Sequence, residues 1–379
     1  MARLLHTADW HLGRTLHGRD LLTDQAERLE TLLRVAADER PDAVLIAGDV
    51  YDRAAPPVAA IELLDEVLSR LVLDLRLPVV VIAGNHDSPE RLGYGARLVA
   101  DGLLLVGPWD PDRRPRVLDT TTGPLAIHAV PYADPVVVRE QRPLAALDHA
   151  SAFRAQLDAA RAHASAHARN ILVAHAWVDG ASPTESERPL APSTTGAVPG
   201  STLDGWTYVA LGHVHRPQRV RAPTPAWYPG SLMPYSRSEA GQERGVLLTE
   251  ISAFGAVATR SIPLGGTREV REIEGTLHAL LRPAIGADTD DYVFARLTDG
   301  PHLDAAARLR GVWPNLLGVD ATAEAAPSAR PAAARLGPGG AMDPIALAQD
   351  FFAEVLGESM TEDDRSLLDE VLRELEREA

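Results

Sequence analysis

Ala43-Val44-Leu45-Ile46-Ala47-Gly48-Asp49 and Val79-Val80-Val81-Ile82-Ala83-Gly84-Asn85-His86-Asp87 are built alike: a short apolar run, then glycine, then polar side chains able to bind a metal. Apolar runs this short and without polar alternation predict strands buried on both faces, as in parallel sheets. Leu4-Leu5 opens another strand, which leads into Asp9-Trp10-His11. Between these runs, Leu29, Leu32, Leu33 and Ala36 recur at helical spacing, as do Ile61, Leu64, Val67, Leu68 and Leu71. Strands alternating with helices predict layered α/β structure. Further on, a helix is expected over Phe153–Ala168, and strands over Ile171-Leu172-Val173 and Tyr208-Val209-Ala210-Leu211, which lead to His175 and to Gly212-His213-Val214-His215. The polar motifs thus gather at the carboxyl ends of strands, where open sheets carry their ligands.

These motifs have a common chemistry. Side chains alternate in extended chain, so Asp9 and His11, and likewise His213 and His215, are expected to point to one side of their strands. Glycines before Asp49, Asn85 and His213 permit tight turns and close backbone approach. Carboxylates and histidines converging from neighbouring strand ends form a mixed oxygen and nitrogen cage suited to divalent first-row metals. Two such metals about 3.5–4 Å apart clamp the attacking and leaving oxygens of an in-line phosphoryl displacement. Asp49 is the expected bridge, Asn85 a neutral oxygen ligand, and His86 the group placed to protonate the leaving oxygen. Any one motif alone has an ordinary explanation as a turn or a hydrogen-bonded loop; five in order at strand ends do not. His6, His17, His128, His149, His163, His167, His278 and His302 stand outside the motifs and read as surface or packing residues.

With 379 residues the chain is expected to hold two or three domains, and its 45% hydrophobic and 24% charged content is ordinary for a globular protein. No apolar run reaches the roughly 18 residues of a membrane span. Asp9 and His11 come too early for a secretory leader, so a cytoplasmic location is expected. The absence of cysteine excludes disulfide scaffolds, thiolate metal sites and cysteine nucleophiles. A net charge of -16 at first argues against nucleic acid, but twelve acidic residues against three arginines in 340–379 leave only -7 for the rest. All 37 basic residues are arginine, which, with the abundant alanine and proline, reads as a GC-rich genome and not as a selected function.

The expected organisation is a metal-binding domain over 1–265, a small domain over 266–319 that includes a strand at Tyr292–Leu297, a Pro/Gly/Ala-rich linker over 320–341, and a helical tail over 342–379. Strands near Trp227-Tyr228, Val246–Leu248 and Val257–Ile262 continue the first domain, and Gly180–Gly205 reads as a long loop beside the site. In the tail, Ile345, Leu347, Phe351, Phe352, Val355 and Leu356 share one helical face. Thr361 and Asp364 resemble a capping box, and Leu367, Leu368, Val371, Leu372 and Leu375 form a second stripe. Such helices either fold back on their own domain or dock on a partner, and Phe351, Phe352, Val355, Leu368 and Leu372 are the contact candidates. Arg14, Arg19, Arg53 and Arg91 lie close to the metal motifs and are candidate phosphate contacts.

The ordered motifs resemble the calcineurin-like metallophosphoesterase superfamily. More narrowly, His6–Gly13, Gly48–Arg53, Gly84–Ser88, Leu211–His215 and Leu297-Thr298-Asp299 resemble the SbcD family, nuclease subunits related to the meiotic-recombination nuclease. That resemblance covers nearly the whole chain. It implies a four-layer αββα sandwich with a small α+β capping domain and a C-terminal helical pair. It also implies Asp9, His11, Asp49 and His215 on one metal, Asp49, Asn85, His175 and His213 on the other, and His86 and Asp49 in catalysis. The family usually uses Mn²⁺, with Mg²⁺ or others possible. It acts on DNA ends and hairpins in repair, recombination and replication, as exonuclease and endonuclease. It forms a homodimer through the nuclease domain, here through helices around 57–72 and 90–100. With an SbcC-type coiled-coil ATPase it makes a heterotetramer of two subunits of each kind, and a nucleoid-associated cytoplasmic location follows. Two alternatives stand beside this: a phosphoesterase acting on small molecules or proteins, and a scaffold with a vestigial site, which the intact motif set argues against.

Overall fold

The computed structural model describes residues 1–99, 101–142, 148–187, 196–266, 268–284, 286–321, 349, 360–362 and 364–368. The chain divides into two units between Glu272 and Ile273, seven residues beyond the break read from the sequence.

In the first unit each of the buried apolar runs is a strand. β1 (Ala2–Thr7), β2 (Ala43–Ile46), β3 (Val79–Ile82) and β4 (Leu103–Val106) are parallel neighbours. A second sheet contains β5 (Arg116–Thr120), β6 (Gly123–Val130), β7 (Arg169–His175), β8 (Tyr208–Gly212), β9 (Gln218–Val220) and β10 (Ala226–Tyr228). Its order is β9-β10-β8-β7-β6-β5, with β6, β7 and β8 parallel. β11 (Gly245–Ile251) returns antiparallel to the free side of β1 and β12 (Val257–Pro263) pairs with it, giving the first sheet the order β12-β11-β1-β2-β3-β4.

Alternate residues of these strands feed different cores, which defines the layers. Leu4, Leu45, Val80 and Ile82 meet Leu125, Ile127, Ile171 and Tyr208 between the two sheets. On the outer face of the first sheet, Leu5, Val44 and Val79 pack against α1 (Leu22–Glu39) and α2 (Val58–Ser69). On the outer face of the second, Val130, Leu172, Val209 and Leu211 pack against Phe153 and Leu157 of α3 (His149–Arg161). The result is the αββα order helix, sheet, sheet, helix. Leu29, Leu32, Leu33 and Ala36 are all buried as their spacing required, so truncating Leu32 to alanine is expected to cost about 2–5 kcal/mol.

Two helices differ from their sequence reading. On α2 the buried face is Ala60, Leu64, Val67 and Leu68, continued by Leu71 in a π-helical turn, while Ile61 is 46% exposed. α3 begins four residues before Phe153 because Asp148 and Ser151 close a capping box, and it ends at Arg161.

The second unit has its own small core. Val293, Ala295 and Leu297 of β13 (Tyr292–Leu297) pack with Leu277, Leu309, Trp313 and Leu316, and β13 pairs in parallel with β14 (Leu316–Ala321). Further along, the Thr361 N–H donates to Asp364 Oδ2 at 3.1 Å and the Asp364 N–H to Thr361 Oγ1 at 3.2 Å, the reciprocal pair of a capping box. Leu368 is half-buried; Phe351, Phe352, Val355 and Leu372, and the linker from 322 to 341, lie outside the described residues. Among the described residues no helix is long and apolar enough to cross a membrane.

Candidate metal centre

The five motifs meet at the carboxyl ends of β1, β2, β3, β7 and β8. Asp9, His11 and His215 bring ligand atoms within 4.8 Å of one another, and Asp49, His175 and His213 do the same. Asp49 stands between the groups: its Oδ2 is 3.7 Å from His11 Nε2 in one and 3.4 Å from His175 Nε2 in the other. Asn85 Oδ1 joins the second group, 3.0 Å from His175 Nε2 and 2.9 Å from His213 Nδ1. In the first, the Nε2 atoms of His11 and His215 face each other at 3.0 Å.

The backbone that presents these side chains is not extended. Asp9 and His11 lie beyond the end of β1 with φ of 53° and 46°, Asp49 has φ 48° and His213 φ 110°. Strand alternation therefore does not place the Asp9/His11 and His213/His215 pairs; left-handed turns do. Each such non-glycine residue costs on the order of 1–3 kcal/mol and persists only where its surroundings over-determine it. Here the restraints are visible. The Asp9 and His11 N–H groups each donate at 3.0 Å, to the Gly48 and Asp49 carbonyls. Buried Gln25 donates to the Trp10 and His11 carbonyls at 3.0 and 2.8 Å and accepts the Gly13 N–H at 3.0 Å. The Tyr235 hydroxyl also donates to the Trp10 carbonyl.

The three glycines work by close approach. A Cβ on Gly48 would lie 2.4 Å from His175 Nδ1, on Gly84 2.1 Å from Asp49 Oδ1, and on Gly212 1.9 Å from the Ala47 carbonyl. That same carbonyl accepts His175 Nδ1–H at 2.8 Å and so turns Nε2 toward Asp49. Asp87, also buried, accepts N–H bonds from Val50 (3.1 Å), Tyr51 (2.9 Å) and Gly84 (2.8 Å), tying the loop after β2 to the loop after β3.

Electrostatically the centre is unsettled without a cation. Burial, with the neighbouring Asp49 charge, pushes Asp9 well above the ordinary carboxyl range. Burial opposes ionisation of Asp49 too, but His175, His11 and His86 outweigh it and hold Asp49 well below that range. Burial likewise disfavours a charged His175, yet Asp49 and Asp9 raise it to about 9. His213 is driven down to about 3 by burial and by His175. Converging imidazole and carboxylate donors whose charges are so unevenly satisfied suit divalent metals.

His86 lies at the rim. Its Nδ1–H donates to the Asp52 carbonyl at 2.8 Å, its N–H donates to Asp49 Oδ1 at 2.8 Å, and its ring stands edge-on to His11 at 4.6 Å. It lines a cleft of about 650 Å³ together with Asn85, Asp52, Arg14 and Arg53. Arg14 reaches Asp52 Oδ1 at 3.2 Å and the Ser186 carbonyl at 3.3 Å, and stacks on Tyr235 at 5.0 Å. Arg91 donates to the Ala54 carbonyl at the cleft edge. Arg19 is exposed in a short hairpin strand and does not line the cleft.

Asp52 and Asp87 stand inside the stretches Gly48–Arg53 and Gly84–Ser88 but were given no role from the sequence. Other residues that shape the centre carried no motif at all. Gln25, Tyr235, Glu239 and Arg244 reach the site only through the fold. The loop expected beside the site does meet it: Glu187 Oε1 accepts the His215 N–H at 2.8 Å, and Ser186 Oγ contacts His215 Nδ1. Outside the site, buried His6 bonds Tyr208 OH at 3.0 Å and the Leu211 carbonyl at 3.1 Å, a packing role.

The model of the calcineurin-like phosphoesterase family matches residues 2–217. The chain belongs to that family, and with its paired His/Asp groups it is a metal-dependent phosphoester hydrolase. Among solved structures it is similar to TT1561 of Thermus thermophilus, at 13% identity and a TM-score of 0.37 over 69% of this chain and 98% of that one. It is similar to a dimetal phosphatase from Danio rerio, at 13% identity and 0.41 over 70% and 97%. It also resembles GAP50, the anchor in the inner membrane complex of Plasmodium, at 14% identity and 0.41 over 69% and 84%.

Proposed function

We propose that the phosphoester cleaved is the DNA backbone, and that the protein is a two-metal exonuclease and endonuclease of the SbcD kind working with an SbcC-type ATPase. The observation that carries the reaction is buried Asp49 standing between two groups of candidate ligands, with Asn85 and His86 beside it lining a cleft. What supports DNA as substrate is the resemblance of His6–Gly13, Gly48–Arg53 and Gly84–Ser88 to those nucleases, together with Arg14 and Arg53 on the cleft wall. When bound, two divalent ions, with Mn²⁺ the proposed pair, would supply charge stabilisation to an in-line displacement at phosphorus. Asp9, His11, Asp49 and His215 would hold one, and Asp49, Asn85, His175 and His213 the other. His86, its Nδ1–H fixed on the Asp52 carbonyl, presents Nε2 to the departing sugar oxygen, and as the imidazolium it would pass its Nε2 proton there and be left neutral. Arg14 and Arg53, with Arg19 and Arg91 further out, orient backbone phosphates. A homodimer through the first unit and docking of the ATPase on the tail through Phe351, Phe352, Val355, Leu368 and Leu372 belong to the same reading.

The test uses purified wild type and Asp49→Ala with end-labelled duplex and hairpin DNA, with Mn²⁺, Mg²⁺ or chelator, and with or without the ATPase. Manganese-dependent cleavage that disappears in the variant is expected. Intact DNA in every arm, beside Asp49-dependent hydrolysis of a nucleotide or phosphoprotein, would transfer the site to a different substrate.

A further inference from the structure

His215 is held at every polar atom but one. Its N–H donates to Glu187, its carbonyl accepts from Arg244 Nη1 and from the Ser231 N–H, and Ser186 Oγ meets Nδ1; Nε2 alone faces the first ligand group. Behind Ser186 stands Glu239, fully buried and paired at 2.7 Å with equally buried Arg244. Glu239 Oε2 also accepts the Tyr235 N–H at 3.1 Å, while Oε1 takes hydroxyls from Ser186, Thr184 (2.9 Å) and Ser236 (2.8 Å).

Donor and acceptor inventory fixes the direction of this chain. A carboxylate only accepts, so the single hydroxyl proton of Ser186 goes to Glu239 Oε1. Ser186 Oγ is then an acceptor toward His215, whose proton sits on Nδ1, leaving the Nε2 lone pair bare. The Nε2 atoms of His215 and His11 lie 3.0 Å apart, so with His215 bare there His11 carries the shared proton on its own Nε2.

We infer that Glu239 and Ser186 are positioning residues that set the tautomer of His215, so that Nε2 is a ready ligand before any metal arrives. The inference rests on the dinuclear reading for its purpose but not for its measurement, because the tautomer is read in metal-free protein. His175 in the other ligand group is set by the Ala47 main-chain carbonyl, which no side-chain substitution removes, so the two groups separate by mutation.

The first test is nitrogen-15 histidine NMR of metal-free, full-length protein, with the His215 signals identified by their loss in His215→Gln. Wild type is expected to show the Nδ1–H form. In Glu239→Gln the amide oxygen stays on Arg244, the amide NH₂ turns to Ser186, and the serine proton is released toward Nδ1. His215 should then convert to the Nε2–H form, a reversal that loss of packing alone does not produce. Because Glu239→Gln disturbs a buried ion pair, Ser186→Ala is the second variant, expected to give a mixture of both forms, with Ser186→Thr restoring Nδ1–H. Calorimetric titration with Mn²⁺ should show one of two sites weakened roughly 10–100-fold in Ser186→Ala and the other unchanged. An Nε2–H form in wild type, or Nδ1–H retained in both Glu239→Gln and Ser186→Ala, overturns the inference. Absence of Mn²⁺ binding in wild type would instead strike the dinuclear reading and leave the tautomer result standing.

Discussion

Replacing Asp87 separates a carboxylate that assembles the centre from one that merely sits near it. Its two oxygens hold three buried N–H groups: Val50 and Gly84 on Oδ2, Tyr51 on Oδ1. In Asp87→Ala all three lose their acceptor. A buried donor left unpaired costs about 1–3 kcal/mol, so the sum lies between about 3 and 9 kcal/mol. Relief works the other way. Burial and the Asp49 charge push Asp87 up to about 6, so removing it also removes an unfavourable charge. The expected net loss is therefore near the low end, about 3 kcal/mol, against a typical total stability of about 5–15 kcal/mol. Asp87→Asn keeps an acceptor on the Oδ2 side, where two of the donors are, and strands only Tyr51, for about 1–2 kcal/mol. Denaturant unfolding of metal-free protein measures both. An alanine variant within about 1 kcal/mol of wild type, or no worse than the asparagine variant, would refute the view that this side chain joins the two loops.

Other outcomes follow from the same structure. His6 is neutral in the fold because burial lowers it from 6.5 to about 3, whereas the unfolded chain gains that proton below about 6.5. Its contribution is therefore full above about 6.5 and is lost as pH falls toward about 3, with a slope of up to about 1.4 kcal/mol per pH unit. His6→Gln should flatten the urea-midpoint profile across that window; an unchanged profile would contradict it. Gly212→Ala forces a Cβ to within 1.9 Å of the Ala47 carbonyl, whereas Gly205, with φ +88°, has open space around it. The first substitution is expected to cost more than about 3 kcal/mol and Gly205→Ala only about 1–2 kcal/mol, so equal melting losses would deny the close approach.

The strands that carry the site were legible because burial on both faces leaves an unbroken apolar run, as at Val44–Ile46 and Val79–Ile82. β6 was missed although it lies inside the second sheet, because Pro124 and His128 interrupt the run that signals such a strand. The candidate ligand residues were readable as motifs, and the structure brings all of them together. The reason they converge was misread: the left-handed conformations of Asp9, His11, Asp49 and His213 are imposed by tertiary hydrogen bonds, which no local pattern encodes. Buried charges such as Glu239 and Arg244 were invisible for the same reason, since their sequence neighbours Ser238, Gln242 and Glu243 are those of an ordinary surface loop.

The ligand groups draw on both sheets, and this bears on how long the folded chain lasts. Asp9, His11, Asp49 and Asn85 follow strands of the first sheet, while His175 ends a strand of the second and His213 and His215 follow another. Existing bonds across this seam, from His175 to Ala47 and from His213 to Asp9, already close chain loops of 128 and 204 residues. Ions held there would act as a non-covalent cross-link between the halves of the sandwich. Cross-links that close loops so large restrict the unfolded chain most and so oppose global unfolding, and metal loading should therefore lengthen survival under protease as well as equip the site.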